Sequence, residues 1–125
     1  MNSIILIIER ESAWLPETWV EQSGGAHIQG NQFTIELGTE WLSVVRDDQV
    51  LDDFDEREIH QLGAWVKEPK AYIVEWKGGG LVERLLKSIP ISCSAAVDND
   101  HGLLISVHEV ASQPLQCWVR RRSHH

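Results

Sequence analysis

An uninterrupted apolar run, Ile4 to Ile8, constrains the fold of this chain more than any other feature. Its β-branched side chains favour extended backbone, and the lack of alternation with polar residues is typical of a strand covered on both faces. Residues 3–9 are therefore predicted to form a central strand. A length of 125 residues is close to the commonest domain size, so we expect one domain, over residues 1–121.

The pattern beyond this run alternates short strands with two helices. Residues 32–37 alternate apolar and polar side chains and precede Gly38, so they are predicted to pair with 41–45 as a hairpin. The two main helices are predicted near 53–66 and 80–89, with Leu62, Trp65, Leu85 and Leu86 buried. Further predictions are a short helix at 14–21, a glycine-rich turn at 23–31, and strands at 71–76, 92–97, 103–110 and 115–119. The expected fold is α+β, a mostly antiparallel sheet with two main helices packed on it.

Charge is concentrated in one segment, residues 46–58. It holds seven carboxylates against Arg46 and Arg57, which accounts for five of the eight net negative charges of the chain. Such a segment repels nucleic-acid phosphates and anionic lipid, and it attracts basic surfaces. We therefore expect a basic protein partner, with no binding to nucleic acid or membrane.

Part of this acidic segment has a structural explanation. Asp53 and Glu56 have the spacing of a helix-capping pair, and acidic side chains favour the first turn of a helix. A solvated, capped helix start is the alternative interpretation of the whole segment. The residues predicted to bind the partner are the other carboxylates and one nearby tryptophan: Asp47, Asp48, Asp52, Asp55, Glu58 and Trp41.

The six tryptophans of the chain are the other candidates for contact, because tryptophan is enriched both in cores and at interface hot spots. Trp65 and Trp76 lie in apolar patterns and are predicted to be core. Trp14, Trp19 and Trp41 lie near loops and polar neighbours. Those three are predicted either to contact a partner or to pack in the core.

Two weak chemical signals are better explained by ordinary structure. The glycines 78–80 before a helix resemble a phosphate loop but lack its Lys-Ser/Thr ending, so a plain turn is preferred. Asp98, Asp100, His101, His108 and Glu109 do not have the ligand spacing of a calcium loop, and Asp and Asn before Gly102 are typical of a hairpin turn. No metal site is expected.

Catalysis also lacks a recognisable signature. Cys93 and Cys117 are predicted to be unpaired thiols buried in apolar strands, and no nucleophile elbow is present. We expect neither an enzymatic activity nor a cofactor. No apolar run reaches the ~20 residues of a membrane span, and no export signal is recognised, so a cytoplasmic protein is expected. Residues 122–125 look like the remnant of a purification tag.

From Tyr72 to Val110, about a third of the chain, the elements run strand, glycine turn, helix with Leu81, Val82, Leu85 and Leu86, strand, the turn Val97 to Gly102, and strand. This order resembles that of small bacterial immunity proteins. Those proteins are encoded beside polymorphic or contact-dependent toxins. The resemblance implies cytoplasmic neutralisation of a cognate toxin, commonly a nuclease with a basic substrate-binding surface.

Two other classes of function stay open. One is an accessory subunit that binds another protein through an apolar patch containing Trp14 and Trp19. The other is a small enzyme that uses Asp98, Asp100 or His101.

Overall fold

Seven strands form one antiparallel sheet in the part of the chain that this computed structural model describes, residues 2–99 and 103–119. In chain order they are β1 (Asn2–Glu9), β2 (Ala26–Gln29), β3 (Gln32–Leu37), β4 (Glu40–Arg46), β5 (Pro69–Lys77), β6 (Ala95–Asp98) and β7 (Leu104–Ser106). Across the sheet the order is β2-β3-β4-β5-β1-β6-β7, and every pairing is antiparallel. β1 lies between β5 and β6, which confirms the prediction of a central strand.

Short helices connect the strands. They are α1 (Pro16–Gln22), α2 (Glu56–Gly63), α3 (Gly80–Lys87) and α4 (Val107–Val110), with 3₁₀ helices at Asp48–Asp53 and Leu115–Cys117. The predicted α+β fold is confirmed, with its two main helices at α2 and α3. The predicted hairpin is also confirmed, as β3 and β4.

The two faces of β1 enter two separate hydrophobic clusters. Ile4, Leu6 and Ile8 point to one face, where they pack with the buried residues of α3 and with Val20 of α1. Ile7 points to the other face, and Ile5 packs beside it. The missing alternation in the sequence therefore has a direct cause, since both faces of this strand are covered.

The second cluster is formed by the segment between β4 and β5. Phe54, Leu62 and Val66 of that segment pack on Ile7 and on Ala71 of β5. No member of this cluster lies on β2, β3 or β4 among the described residues. On this side the sheet is thus covered at β1 and β5–β7 and left open toward β2. We call this part, which the second cluster does not cover, the open face. It carries the half-buried residues Thr34, Trp41 and Glu75, and Ser43, which its neighbours leave only 7% exposed.

Burial agrees with most of the core prediction. Leu62, Leu85 and Leu86 are buried as predicted, and Trp76 is fully buried. Trp65 is only partly buried, at the margin of the second cluster. It is therefore less buried than predicted.

The predicted helix at 53–66 is interrupted at Phe54. This residue is extended (φ −77°, ψ 136°) between the 3₁₀ helix and α2, and its side chain is 8% exposed. Placing the ring in the second cluster requires the chain to leave the helical path there. α2 consequently begins only at Glu56.

The C-terminal prediction was wrong in its secondary structure. β7 has three residues and leads directly into α4, and the predicted strand at 115–119 is a 3₁₀ turn. Val107 and Val110, spaced by three residues, are both buried in the first cluster, which favours a helical turn over a strand. β6 and β7 nevertheless pair as the predicted hairpin. Its tip at 100–102 and the suspected tag at 122–125 lie outside the described residues.

Two smaller corrections concern turns and thiols. The predicted turn at 23–31 contains β2, an exposed strand at one edge of the sheet. Both cysteines are free, but Cys93 is half-buried and Cys117 is exposed, and neither lies in a strand. Their predicted burial in strands was therefore wrong.

Candidate functional site

The acidic segment is fastened to the sheet by Asp48. Its carboxylate accepts hydrogen bonds from Arg46 Nε (3.0 Å) and Nη2 (2.8 Å), and from the backbone N–H of Ala71 in β5 (3.0 Å). The guanidinium of Arg46 holds the pKa of Asp48 below its ordinary value, and Asp48 in turn raises the pKa of Arg46. This predicted contact residue thus has a structural role.

Three more of the predicted carboxylates cap helices. Asp47 accepts from the backbone N–H of Gln49 at 3.0 Å, at the start of the 3₁₀ helix. Asp55 accepts from the N–H of Glu58 at 2.8 Å, and Glu58 accepts from the N–H of Asp55 at 3.2 Å, which makes a capping box for α2. The capping pair predicted from sequence was Asp53 and Glu56. That prediction was wrong by two residues, because the extended Phe54 delays the start of the helix.

The carboxylates left without such roles are Asp52, Asp53 and Glu56. All three are exposed, and none makes a hydrogen bond or ion pair with another described residue. Between described residues, Arg46 and Asp48 form the single ion pair. We call Asp52, Asp53 and Glu56 the acidic edge. It is a patch of negative charge, supported by the fastened and capped backbone around it.

Beside the acidic edge lies a groove of about 400 Å³ between this segment and the sheet. Ile5 and Ile73, directly opposite one another on β1 and β5, lie in its wall. The groove's described lining includes no lysine, arginine or histidine. We call it the acidic groove; its lining residues are Ser3, Ile4, Ile5, Val50, Asp53, Phe54, Glu58, Ile73 and Asp98.

Trp41 lies on the same side of the sheet but apart from the groove. It is half-buried on β4, opposite Glu36 on one side and Lys77 on the other. Lys77 is four residues along β5 from Ile73, which corresponds to roughly 13 Å of strand. The open face connects the two positions.

The tryptophans predicted as alternative contacts are packed against the core. Trp14 and Trp19 are partly buried against the first cluster. The indole N–H of Trp14 also donates to Ser88 Oγ at 3.2 Å. Most of the apolar area of these two residues therefore serves the fold.

The glycine run before α3 accommodates a carboxylate of the protein itself. Glu40 Oε1 accepts a hydrogen bond from the backbone N–H of Gly80 at 2.9 Å. A Cβ atom on Gly78 would lie 2.5 Å from the Glu40 side chain, and one on Gly80 would lie 3.1 Å from it. An anion at this helix end would meet the charge of Glu40, which agrees with the preference for a plain turn over a phosphate loop.

The candidate metal and nucleophilic residues are not arranged for that chemistry where they are described. No group of three potential ligands is found within residues 2–99 and 103–119. His108 lies in α4, not in the predicted strand, and its Nε2 is 2.9 Å from the carbonyl oxygen of Cys93. Cys93 Sγ is 3.3 Å from Ser12 Oγ. Asp100 and His101 lie outside the described residues.

A polar pair on the first face was missed by the sequence analysis. Tyr72 is 1% exposed, and its hydroxyl donates to Glu17 Oε1 at 2.9 Å and lies 3.0 Å from Oε2. Burial and this carboxylate raise the pKa of Tyr72. Nearby Lys70 is 6% exposed, and burial lowers its pKa. These groups bear on stability, because they lie on the face opposite the acidic groove.

Comparisons with protein-family models, curated proteins and solved structures found no match for this chain. Function is therefore proposed from the side chains and their geometry. In the described residues, no helix has both the length and the apolar character needed to cross a membrane.

Proposed function

We propose that this protein binds and neutralises a protein toxin that has a basic surface, in the manner of an immunity protein. The acidic edge and the acidic groove form the contact. The observation that supports this most is the set of carboxylates at Asp52, Asp53 and Glu56, which are exposed and have no counter-charge among the described residues.

The net charge of the chain supports a basic protein as its partner. A net charge of −8 opposes approach to nucleic acid, whose phosphates bind basic proteins. A toxin that acts on nucleic acid has the complementary property, since it needs a basic surface to hold phosphates. Carboxylates on this protein would occupy that surface in place of the substrate.

The ordered backbone beneath the acidic edge supports a role for these carboxylates in binding a partner, in addition to any effect on solubility. Asp48 holds the segment to β5, and the capping box of Asp55 and Glu58 holds the start of α2. Carboxylates on an ordered backbone lose less conformational freedom on association than those on a flexible tail. Preorganised negative charge also raises the association rate more reliably than the affinity.

The residues divide into those that contact and those that hold. In this proposal Asp52, Asp53 and Glu56 contact the toxin, Glu58 and Asp98 line the groove, and Trp41 contacts it across the open face. Asp47, Asp48 and Asp55 hold the segment in place. The proposed protein acts in the cytoplasm as a stoichiometric inhibitor without enzymatic activity, metal or cofactor.

The test is protection of cells that express the neighbouring toxin gene. The variant D52K/D53K/E56K should protect poorly, although it should fold, because exposed charges usually change stability by less than ~0.5 kcal/mol each. The matched control E11K/E21K/E109K makes the same change of charge at exposed positions. Two of these lie on α1 and α4, which pack on the other face.

The control variant should protect as well as wild type. Full protection by a folded D52K/D53K/E56K variant, verified by thermal unfolding, would contradict the proposal. Equal loss of protection in both variants would show that net charge alone matters and that the acidic edge is not the contact.

A further inference from the structure

We propose that the acidic groove receives an arginine side chain of the toxin. This inference rests on the proposed function and adds to it the chemistry of one contact. An arginine combines an apolar stem with a planar cationic head, and the groove offers an environment for each.

The wall of the groove suits the stem. Ile5 and Ile73 are neighbours across β1 and β5 and are both half-buried, so part of each side chain remains available for contact. Phe54 and Val50 add apolar surface from the acidic segment. Methylene groups of a long cationic side chain pack on such surfaces while the charge stays at the wet end.

The carboxylates of the groove suit the head. Asp53 is exposed on the segment side, and Glu58 is oriented by its hydrogen bond with the N–H of Asp55. Asp98 lies on the sheet side, opposite Ile5 in the register of β1 and β6. A guanidinium has five donors in a fixed plane and is less strongly hydrated than an ammonium. Asp53 and Glu58 can accept from different edges of one guanidinium, which favours arginine over lysine.

The groove is large enough to receive one long side chain of the partner. A volume of about 400 Å³ is at the lower end of the range of ~300 to 1,000 Å³ for small-ligand sites. Interfaces typically contain a few such anchors, enriched in arginine and surrounded by weaker contacts. The acidic edge and the open face would supply those surrounding contacts.

The experiment uses a probe that does not require the toxin. Isotope-labelled protein is titrated with N-acetyl-arginine methylamide and followed by amide chemical shifts. Saturable shifts are expected at Ile5, Ile73 and Phe54. The neutral citrulline analogue and an analogue with a shorter stem should each bind at least about tenfold more weakly, since one loses the charge and the other loses the apolar contact.

Two double variants supply a matched pair. D53N/E58Q removes two charges that line the groove, and glutamine at 58 can still complete a capping box. D52N/E56Q removes two charges from the same segment outside the lining. Binding of the arginine probe should weaken about tenfold in D53N/E58Q and less than twofold in D52N/E56Q, a contrast that general charge attraction does not give.

The outcomes separate this inference from the proposed function. Equal weakening in both double variants, or no saturable shifts at the groove, would overturn the arginine site even if the protein still protects against the toxin. Tighter binding of spermidine than of the arginine probe would assign the groove to a small polyamine and also overturn it. Specific arginine binding by a protein that protects against no neighbouring toxin would leave the site standing and refute the proposed function.

Discussion

Glu40, the first residue of β4, accepts a hydrogen bond from the backbone N–H of Gly80 at the first turn of α3, with an O···N distance of 2.9 Å. A carboxylate at this position satisfies a backbone donor that α3 leaves without a partner, and its charge favours the positive end of the helix. No residue of the sequence immediately before α3 supplies a side-chain cap. The cap therefore comes from a strand that is remote in sequence.

Replacing Glu40 by alanine should lower the free energy of unfolding by about 1 kcal/mol, as the loss of a helix cap typically does. Glu40→Gln should cost less, because the amide oxygen still accepts the hydrogen bond. The control is Glu36→Ala, an exposed glutamate on β3 without a hydrogen bond to a described residue. Urea unfolding of the three variants measures this, and equal effects at positions 36 and 40 would refute a cap.

Asp48 should make the protein sensitive to acid. Its pKa in the folded state is lowered from 3.8, chiefly by the hydrogen bonds of Arg46. The folded state thus binds its proton less readily than the unfolded chain. The stability that Asp48 contributes is present above pH 3.8 and is lost as pH falls through the lower pKa of the folded state.

Asp48→Asn should therefore cost about 1 kcal/mol or less at neutral pH, since solvent screens a carboxylate that is 41% exposed. The difference from wild type should shrink toward zero as unfolding is measured at progressively lower pH below 3.8. Asp52→Asn is the control and should show no such difference. A gap between wild type and D48N that stays constant with pH would contradict this role of Asp48.

Lys70 should destabilise the fold at neutral pH, because its side chain is only 6% exposed and makes no hydrogen bond or ion pair with another described residue. Lys70→Met keeps the apolar stem and removes the charge, so it should raise the free energy of unfolding by about 1 kcal/mol. Burial lowers the pKa of Lys70 from 10.5, so the wild type should gain stability as pH rises from the lowered pKa toward 10.5. K70M should lack that gain, and a destabilised K70M protein would show that the amine has a favourable partner.

Replacing Asp55 should affect stability more than replacing Asp53 does, and replacing Asp53 should affect toxin binding more than replacing Asp55 does. Asp55→Ala removes the capping residue of α2 and should cost about 1 kcal/mol of stability, whereas Asp53→Ala should change stability by less than ~0.5 kcal/mol. Binding to the toxin should weaken more in D53A than in D55A. Unfolding and association rates of both variants measure this pair of differences, and a D53A protein that is the less stable of the two would restore the capping pair predicted from sequence.

Hydrophobic patterns within short segments of the sequence correctly predicted β1 and α3. The apolar run of Ile4 to Ile8 indicated a strand covered on both faces, and the stripe of Leu81, Val82, Leu85 and Leu86 indicated α3. Both patterns are contained in a few consecutive residues, although the segments that bury them are remote in the chain. The capping frame of α2 was not predictable in this way, because Asp53 with Glu56 and Asp55 with Glu58 have the same spacing. Only the burial of Phe54 decides between them.

The sequence indicated only some of the residues that line the acidic groove. Its carboxylates at 53 and 58 belong to an evident charged segment, but Ile5, Ile73 and Asp98 come from three strands that are far apart in the chain. Their proximity depends on the pairing of β1 with β5 and β6. No local pattern encodes that register. For the same reason the packing of Val107 and Val110, which converts a predicted strand into α4, followed from tertiary contacts and not from propensity.

The position of β1 also affects how the chain folds during its synthesis. This strand leaves the ribosome before both of its neighbours, β5 and β6, which end at residues 77 and 98. Translation proceeds at about 5 to 20 residues per second, so the apolar side chains of β1 remain unpaired for roughly 5 to 20 s until both partner strands have been synthesised. Apolar strands are prone to aggregation while they are unpaired, and sheets closed by distant strands fold slowly. The order of synthesis thus leaves the most apolar strand of the sheet unpaired for longer than any pairing between strands that are adjacent in the chain requires.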